Sequence, residues 1–360
     1  MKRLFVWFPG LVLAITAIAI TALRLPAVQD RVVDRGIERM LGQLADSDAL
    51  FADDALRVLL CGTSSPLPSP DRAKACVAVF AAGKFWVVDT GPGAWNNLAL
   101  WRIPGRRIGA VLLTHFHSDH MGELGEFNLM TWIDGRDATL RVFGPPGVER
   151  VVAGFEEAYA LDTAYRVDHH GTELLPPETS RMQPLPNSEG AAAPTVILEE
   201  AGLTITMFPV DHRPVRPAVG YRFDFAGRSV VVSGDTVASP TLTVVSQGVD
   251  VLVHEAQANH LVAKIGAAAM ANDRPRTAKI MRDIPDYHTS PVDAAKIANQ
   301  AGVGLLVFNH LTPPPPTKLL EPVYVRGVAN VRKEGWTLGE DGLLIELPKG
   351  SDSISIRSIN

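Results

Sequence analysis

The stretch that most constrains this chain is an apolar run followed by four potential metal ligands. Residues 110–113 are apolar and predict a buried β-strand, and the chain continues with His115, His117, Asp119 and His120. Imidazole and carboxylate groups suit zinc, and also iron or manganese. His115 and His117 are two residues apart, so an extended backbone points both to the same side. Asp119 and His120 follow at the predicted start of a helix, and this spacing favours two metal ions side by side.

The string H-x-H-x-D-H formed by these residues resembles the signature of the metallo-β-lactamase superfamily. The resemblance implies an α/β fold of the αββα type, in which two β-sheets pack together and helices cover them. A two-fold pattern of strands followed by helices along the chain agrees with this architecture. The 360 residues, 46% of them hydrophobic, are sufficient for a large core.

Several other predicted strands also end in histidine or aspartate. In addition to His115, strand ends carry His212, Asp235, His254 and His310. Strand ends at one edge of an α/β core converge on a cleft, so we expect these side chains to share a site. His254 is expected to pack behind the site instead of binding metal.

We assign seven ligands to two divalent metal ions, with Zn²⁺ as the first choice and Mn²⁺ or Fe²⁺ as alternatives. The predicted ligands of the first ion are His115, His117 and His212. Those of the second ion are Asp119, His120 and His310. Asp235 would bridge both ions. Two such ions, about 3.5–4 Å apart, hold a hydroxide between them, which Asp119 would orient or deprotonate.

Later motifs resemble those of ribonuclease Z, a branch of that superfamily, over residues 57–311. They are Gly62-Thr63 with Pro66 and Arg72, Val88-Asp89-Thr90-Gly91, Gly220-Tyr221-Arg222, Ser233-Gly234-Asp235-Thr236, His254-Glu255-Ala256, His288-Thr289-Ser290 and His310. In that family a Glu–His pair lies near the scissile phosphate. The resemblance implies that Glu255 orients His288 and that His288 is the general acid for the leaving oxygen. Asp89 is expected either to hydrogen-bond a metal-ligating histidine or merely to form a turn.

The chain departs from ribonuclease Z in ways that argue against the same substrate. Its net charge is −5 and its pI about 6.1, which implies no strongly basic face. No Gly- and Lys-rich arm of the kind that grips tRNA is present in the sequence. The sequence therefore predicts that tRNA is not a partner and that the substrate is a small-molecule ester, as in arylsulfatase-like relatives and small-molecule phosphodiesterases.

The segment 161–194 is predicted to be a loop that covers the mouth of the active site, as in that superfamily. It contains Tyr165, His169 and His170, which are candidate substrate contacts. The alternative is that these histidines are ordinary exposed loop residues.

An uncharged run, residues 4–23, follows Lys2 and Arg3 at the N-terminus. At about 1.5 Å per residue a helix of this length reaches across a bilayer core of about 30 Å. The run predicts a single-pass anchor in the inner membrane with the catalytic domain in the periplasm. The alternative is a cleaved signal peptide and a secreted or periplasmic protein. The predicted division is an anchor or signal peptide over residues 1–25, a tether over 26–56 and a hydrolase domain over 57–350.

The chain contains two cysteines, Cys61 and Cys76. In an oxidising compartment they could pair between adjacent strands, whereas the alternative is two buried free thiols. The spacing of the two residues does not decide between these states.

Together these features predict an exported, two-metal hydrolase of phosphodiester or sulfate ester bonds. One alternative is a lactonase or β-lactamase-type acyl hydrolase, against which the pair of Glu255 and His288 argues. The other is a non-catalytic binding protein on the same fold, against which the complete ligand set argues. Besides the substrate, the expected partners are the inner membrane and, as an open alternative, a second copy of the chain.

Overall fold

The computed structural model describes residues 21, 23–42 and 48–359. The chain divides into two units, Met1–Ala49 and Leu50–Asn360. The first contains helix α1, Pro26–Gly42. The apolar run predicted as an anchor lies outside the described residues, except for residues 21 and 23, so the anchor and the location that depends on it remain predictions. No helix in the described part of the chain combines the length and apolar character needed to cross a bilayer.

The second unit contains both strands and helices. The strands are β1 Ala55–Gly62, β2 Cys76–Ala81, β3 Lys84–Val88, β4 Ile108–Leu112, β5 Leu140–Gly144, β6 Met182–Pro186, β7 Thr195–Glu200, β8 Leu203–Pro209, β9 Val219–Phe225, β10 Arg228–Val232, β11 Val251–Gln257, β12 Leu305–Thr312, β13 Trp336–Leu338, β14 Leu343–Pro348 and β15 Ser355–Ser358. The α-helices are α2 Ala94–Leu100, α3 Ser118–Met121, α4 Leu124–Ile133, α5 Val148–His170, α6 Pro240–Val245, α7 Asn259–Ala271, α8 Pro275–Asp283, α9 Pro291–Gln300, α10 Glu321–Tyr324 and α11 Val328–Val331.

The strands form two sheets, as the αββα prediction requires. The first sheet has the order β15-β14-β1-β2-β3-β4-β5-β6, and the second has the order β13-β12-β11-β10-β9-β8-β7. Strands β1, β4, β10, β11 and β12 are buried along their whole length. Burial on both faces is expected where one face meets the other sheet and the opposite face meets helices.

The alternation of side chains along β1 shows how the layers are built. Leu56, Val58 and Leu60 pack in a core formed by residues of both sheets. Leu59 and Cys61 point the other way and pack with residues of the helices α2, α4 and α5. This two-residue period follows from the pleat of a strand, and it places one apolar layer between the sheets and another beneath the helices.

Each sheet contains a group of neighbouring strands that run parallel, and these strands position the candidate site. Strands β3, β4 and β5 are parallel neighbours in the first sheet. Strands β10, β11 and β12 are parallel neighbours in the second. The carboxyl ends of parallel strands meet at one edge of a sheet, where α/β proteins bind their ligands.

The structure contradicts the prediction that residues 161–194 form a loop. Helix α5 continues to His170 and ends at Gly171, which has a positive φ of 85°. The helix extends this far because residues 149–170 contain neither proline nor a glycine other than Gly154, so nothing interrupts it before Gly171. Strand β6 also lies in this segment and pairs with β5 at the edge of the first sheet.

Cys61 and Cys76 form a disulfide with a Cα–Cα distance of 5.0 Å. The two residues lie where β1 ends and β2 begins, so the bond joins adjacent antiparallel strands. Of the two alternatives left open by the sequence, the structure therefore contains the disulfide.

Candidate metal centre

Seven histidine and aspartate side chains and His288 converge at the carboxyl ends of the parallel strands. Within each of three groups, the potential ligand atoms lie within 4.8 Å of one another. The groups are His115 with His117, His212 and Asp235; Asp119 with His120 and His310; and Asp235 with His288 and His310. The structure therefore brings together all seven residues predicted as ligands, with Asp235 beside both sets.

The segment from the end of β4 through α3 supplies four of these side chains. His117 precedes the first residue of α3 and has an extended backbone, with φ −68° and ψ 150°. His115 and His117 consequently point to one side, and His115 Nε2 lies 2.9 Å from His117 Nδ1. The start of α3 turns Asp119 and His120 toward the second group. The structure therefore contains the predicted arrangement, with an extended backbone at His117 and a helix that begins just before Asp119.

Asp89 fixes the direction of this segment from the end of β3. Its carboxylate accepts hydrogen bonds from the Thr114 backbone N–H, the Thr114 hydroxyl and His120 Nδ1, each at 2.8 Å. Asp89 has a positive φ of 63°, a conformation that aspartate tolerates better than most residues. Because Nδ1 of His120 is occupied, its Nε2 atom faces the cluster.

Asp235 lies at the centre of the cluster. Its Oδ2 atom is 3.4 Å from His120 Nε2, 3.8 Å from His212 Nε2 and 3.9 Å from His115 Nε2. Its other carboxylate oxygen, Oδ1, is 3.5 Å from His310 Nδ1. The residue before it, Gly234, has φ 61°, and a Cβ there would lie 2.6 Å from the carbonyl oxygen of Val219. Glycine therefore allows the sharp turn that carries Asp235 into the cluster.

His310 reaches the cluster through an irregularity in β12. Glu255 pairs with Asn309, whereas Ala256 pairs with Leu311, so His310 is an extra residue between the two registers. It has a positive φ of 45°, and its Nε2 lies 3.1 Å from Asp119 Oδ2. A bulge of this kind redirects a side chain that regular alternation would place elsewhere.

The cluster fits divalent metal ions because several of its buried polar atoms lack other partners. Four buried atoms of the proposed ligands have no hydrogen-bond partner among the described residues, namely His120 Nε2, His212 Nε2, Asp235 Oδ1 and His310 Nδ1. Unpaired buried polar atoms are costly in a folded protein. These four all face the same space, and nitrogen and carboxylate donors suit zinc and related ions.

The charge states of the cluster agree with this fit. Burial lowers the pKa of His115 and His212, and neutral imidazole is the form that binds metal. Burial alone would raise the pKa of Asp119, but His120 and the hydrogen bond to His310 outweigh it and lower the pKa to about 2. Burial lowers the pKa of His120 as well, but Asp235 and Asp89 outweigh it, and the pKa rises well above its usual value. The carboxylates of Asp235 and Asp89 therefore favour a positive charge at His120.

Glu255 and His288 form a pair at the side of the cluster. Glu255 Oε1 accepts hydrogen bonds from His288 Nδ1 at 3.0 Å, from the Thr289 backbone N–H at 3.0 Å and from the Thr236 backbone N–H at 3.2 Å. Burial opposes charge on His288, but Glu255 outweighs it and raises the pKa of the imidazole. His288 Nδ1 lies 4.0 Å from Asp235 Oδ2. The pair is thus held within reach of the space between the ligands.

Other residues predicted for the site lie elsewhere. His254 is buried and donates from Nδ1 to the carbonyl oxygen of Glu255 at 2.7 Å. Tyr165, His169 and His170 are exposed on the last turns of α5. None of these four belongs to the three ligand groups found among the described residues.

The sequence analysis missed three residues that hold the ligands in place. Thr114 bonds both Asp89 and His115, and its hydroxyl lies 3.1 Å from His115 Nδ1. Tyr287 accepts a hydrogen bond from His212 Nδ1 on its carbonyl oxygen at 2.9 Å. Thr236 donates its N–H to Glu255. One sign of these supporting roles was present in the sequence: Thr114 directly precedes His115, and Thr236 directly follows Asp235.

Comparison with known proteins identifies the family. A family model described as the beta-lactamase superfamily domain matches residues 86–311. Ribonuclease Z of Mycobacterium bovis is 38% identical over 261 residues, which cover 72% of this chain and 86% of that protein. The chain belongs to the ribonuclease Z family of the metallo-β-lactamase superfamily. Ribonuclease Z of Mycobacterium marinum is a further relative, 35% identical over 72% of this chain and 87% of that protein.

Solved structures of this superfamily share the fold. The metallo-β-lactamase fold protein YhfI of Bacillus subtilis has a TM-score of 0.59 at 19% identity and matches 81% of this chain and all of that one. Human tRNase Z, short form, has a TM-score of 0.56 at 20% identity and matches 81% of this chain and 99% of that one. At these identities the likeness supports the αββα fold and no more.

The prediction that tRNA is not a partner is wrong. The curated relatives are ribonucleases, and human tRNase Z, named for tRNA, has the same fold. The prediction failed because net charge summed over a whole chain does not describe the charge near its site. The other predicted partners, a small-molecule ester, the inner membrane and a second copy, gain no support from these relatives, and neither do export and sulfate ester cleavage.

Proposed function

We propose that this protein hydrolyses phosphodiester bonds in RNA with the help of two divalent metal ions. The observation that carries the proposal is the pair of Glu255 and His288 at the side of a complete ligand cluster. A metal cluster alone would serve many hydrolases of this superfamily. A hydrogen-bonded imidazole next to it is expected where a poor leaving group such as a ribose oxygen must be protonated. The similarity to ribonuclease Z supports the same substrate class.

We propose that the seven clustered side chains hold the metal ions. The first set is His115, His117 and His212. The second set is Asp119, His120 and His310. Asp235 would contact both ions, and Zn²⁺ is the first candidate because its usual ligands are imidazole and carboxylate. When bound, such ions supply Lewis acidity toward phosphoryl oxygens and lower the pKa of water.

Asp119 is proposed to be a metal ligand and to orient the attacking hydroxide. Its Oδ2 atom lies 3.1 Å from His310 Nε2 and 3.6 Å from His120 Nε2. With its pKa lowered to about 2, the carboxylate remains ionised at neutral pH. An acid this strong is a poor general base, so of the two predicted roles we retain the orienting one.

His288 is proposed to donate the proton to the leaving oxygen. Nδ1 of the ring is occupied by Glu255 at 3.0 Å, so the proton available for transfer is the one on Nε2. Glu255 is itself fixed by the backbone N–H groups of Thr236 and Thr289. The carboxylate therefore sets both the tautomer and the orientation of the imidazole.

The test is hydrolysis of bis(p-nitrophenyl) phosphate and of a labelled RNA, including a tRNA precursor, by the full-length protein. Activity should disappear with a chelator and return with zinc or manganese. p-Nitrophenyl sulfate and a lactone are assayed in parallel, because these are the other substrates compatible with a two-metal site. Turnover of the sulfate or the lactone without turnover of either phosphodiester would overturn the proposal.

A further inference from the structure

A pocket of about 580 Å³ lies next to the metal-ligand cluster, and the function proposed above does not use it. The segment that follows β8 forms most of its wall. This wall includes His212, whose Nε2 is 3.8 Å from Asp235 Oδ2 at the cluster. A volume of this size falls in the range of small-ligand sites, so the pocket has room for a group much larger than one phosphate.

The wall of this pocket is tied to the segment that carries Asp235. The Asp211 N–H donates to the Thr236 hydroxyl at 3.2 Å, and the Val237 N–H donates to the Asp211 carbonyl at 2.8 Å. Within the wall, the Val215 N–H donates to the carbonyl of His212 at 2.9 Å. These bonds hold the pocket at a fixed position relative to the cluster.

Two arginines line the pocket, and only one of them is neutralised. Arg213 donates from Nε to Asp211 Oδ1 at 2.7 Å and also contacts Oδ2 of the same carboxylate. The hydrogen bond from Arg213 is the main reason why the pKa of Asp211 is lowered, and Arg216 adds only the last of the contributions. Arg216 is exposed and forms no ion pair with the described residues. Its guanidinium is therefore available to an anion.

The remaining wall is apolar. Val210, Val215 and Pro217 line the pocket beside Arg216. A guanidinium binds phosphate in a planar, two-point geometry, and apolar side chains pack against the face of a base. A nucleotide contains both a phosphate for the guanidinium and a base for the apolar wall. When one phosphodiester of an RNA strand is held at the cluster, the adjacent nucleotide would be the one that enters the pocket.

We propose that this pocket binds the nucleotide next to the scissile bond of a single-stranded RNA segment, with the phosphate of that nucleotide on Arg216. The inference rests on the proposed function and adds to it the way in which the substrate is held. Arg216 acts in binding, at a distance from the reacting atoms, and Arg213 keeps its structural bond to Asp211.

The test compares Arg216→Ala with Arg216→Lys and with Arg150→Ala, which removes an exposed arginine from α5. KM is measured for an RNA oligonucleotide and for bis(p-nitrophenyl) phosphate, which has a single phosphate. Arg216→Ala should raise the KM for RNA about tenfold, as expected for losing a hydrogen bond to a charged group, and should change the KM of the small diester much less. Arg216→Lys should recover part of the loss.

Binding of a phosphorothioate RNA that resists cleavage, followed by fluorescence anisotropy, gives a readout independent of turnover. For Arg216→Ala, the slope of log Kd against log salt should fall by about 0.7, the value for one phosphate contact with a single strand. An unchanged Kd, an equal effect of Arg150→Ala, or equal KM increases for both substrates would overturn the inference. If the wild-type protein cleaves no phosphodiester, the proposed function fails, and anisotropy still decides whether the pocket binds RNA.

Discussion

The two sheets contribute to the metal centre in different ways. The first sheet supplies His115, His117, Asp119 and His120 from a single segment that runs from the end of β4 through α3, and Asp89 fixes that segment through three hydrogen bonds. The second sheet supplies His212, Asp235, Glu255 and His310 from four separate segments, and His288 comes from the residues before α9. The first half of the site is therefore a local structure, whereas the second half exists only when β10, β11 and β12 are correctly paired.

A second difference concerns what the two halves do. The side chains from the segment after β4 can act only as ligands or orienting groups, since all four lie in the ligand groups. The second half also contains the pair of Glu255 and His288, which lies beside the ligands. We infer that the local half mainly holds metal and that the half assembled from distant segments provides the chemistry of the leaving group.

The largest loss of metal and activity is expected for a change at Asp235, which lies between the ligands of the two halves. Asp235→Ala removes the carboxylate that lies within 4.0 Å of five histidine rings. The variant should lose both bound metal and all detectable activity, measured by elemental analysis and by diester hydrolysis on the same sample. Full metal occupancy in a folded Asp235→Ala protein would contradict its central role.

The second prediction separates metal binding from leaving-group chemistry. His288→Ala should retain metal and lower kcat by about 10²- to 10⁴-fold, the range for loss of a general acid. The loss should grow with the pKa of the leaving group, because only poor leaving groups need the proton. Glu255→Gln should show the same trend with a smaller loss. An equal loss for good and poor leaving groups would rule out the acid role.

The third prediction concerns the covalent link within the first sheet. Replacing Cys61 and Cys76 together by alanine opens a loop with a sequence separation of 15. The free energy of unfolding should fall by about 3 kcal/mol, as expected for a loop of this length, and metal content should stay the same. The check is urea denaturation followed by metal analysis of the native protein. A loss of metal with an unchanged free energy of unfolding would show that the disulfide supports the metal centre and does not stabilise the first sheet.

The smallest effect is expected for the residue that only orients the local half. Asp89→Ala leaves every proposed ligand in place but removes the acceptor for His120 and Thr114. Metal affinity should fall about 10- to 100-fold, as is typical when a partner of a ligating histidine is lost. Competition with a chelating dye measures this change. Thr114→Val removes one of the three bonds to Asp89 together with the hydroxyl partner of His115 Nδ1. It should have a smaller effect than Asp89→Ala; a larger one would mean that Asp89 is not the main support.

The difference between the halves also explains what the sequence could predict. The spacing of His115 and His117 follows from the period of an extended chain, so the local half could be predicted from a few residues. His310 could be predicted as a strand-end residue, but not its bulge, since the register depends on β11. The support that Tyr287 gives to His212 left no signal, because any residue offers a backbone carbonyl.

The errors have equally specific causes. The segment 161–194 was predicted to be a loop over the mouth of the site, as in the superfamily that the chain resembles, yet the residues before Gly171 are compatible with a helix and α5 continues through them. The prediction against tRNA relied on the absence of a Gly- and Lys-rich arm and on the total charge, and the total charge says nothing of where single charges lie. Arg216 is an example, since it is one exposed cation in an acidic protein and it lines a pocket beside His212.

The extra residue in β12 has a consequence for anyone who transplants this centre onto another scaffold. His310 adopts a left-handed backbone conformation, and the residue after it, Leu311, donates its N–H to the Thr63 carbonyl at 2.8 Å. The same insertion thus turns a proposed metal ligand inward and lets the strand reach across to a loop of the opposite sheet. An idealised strand with the same amino acids would place the imidazole on the wrong face. A designer would therefore have to copy the extra residue in β12, with its left-handed backbone, as well as the ligands themselves.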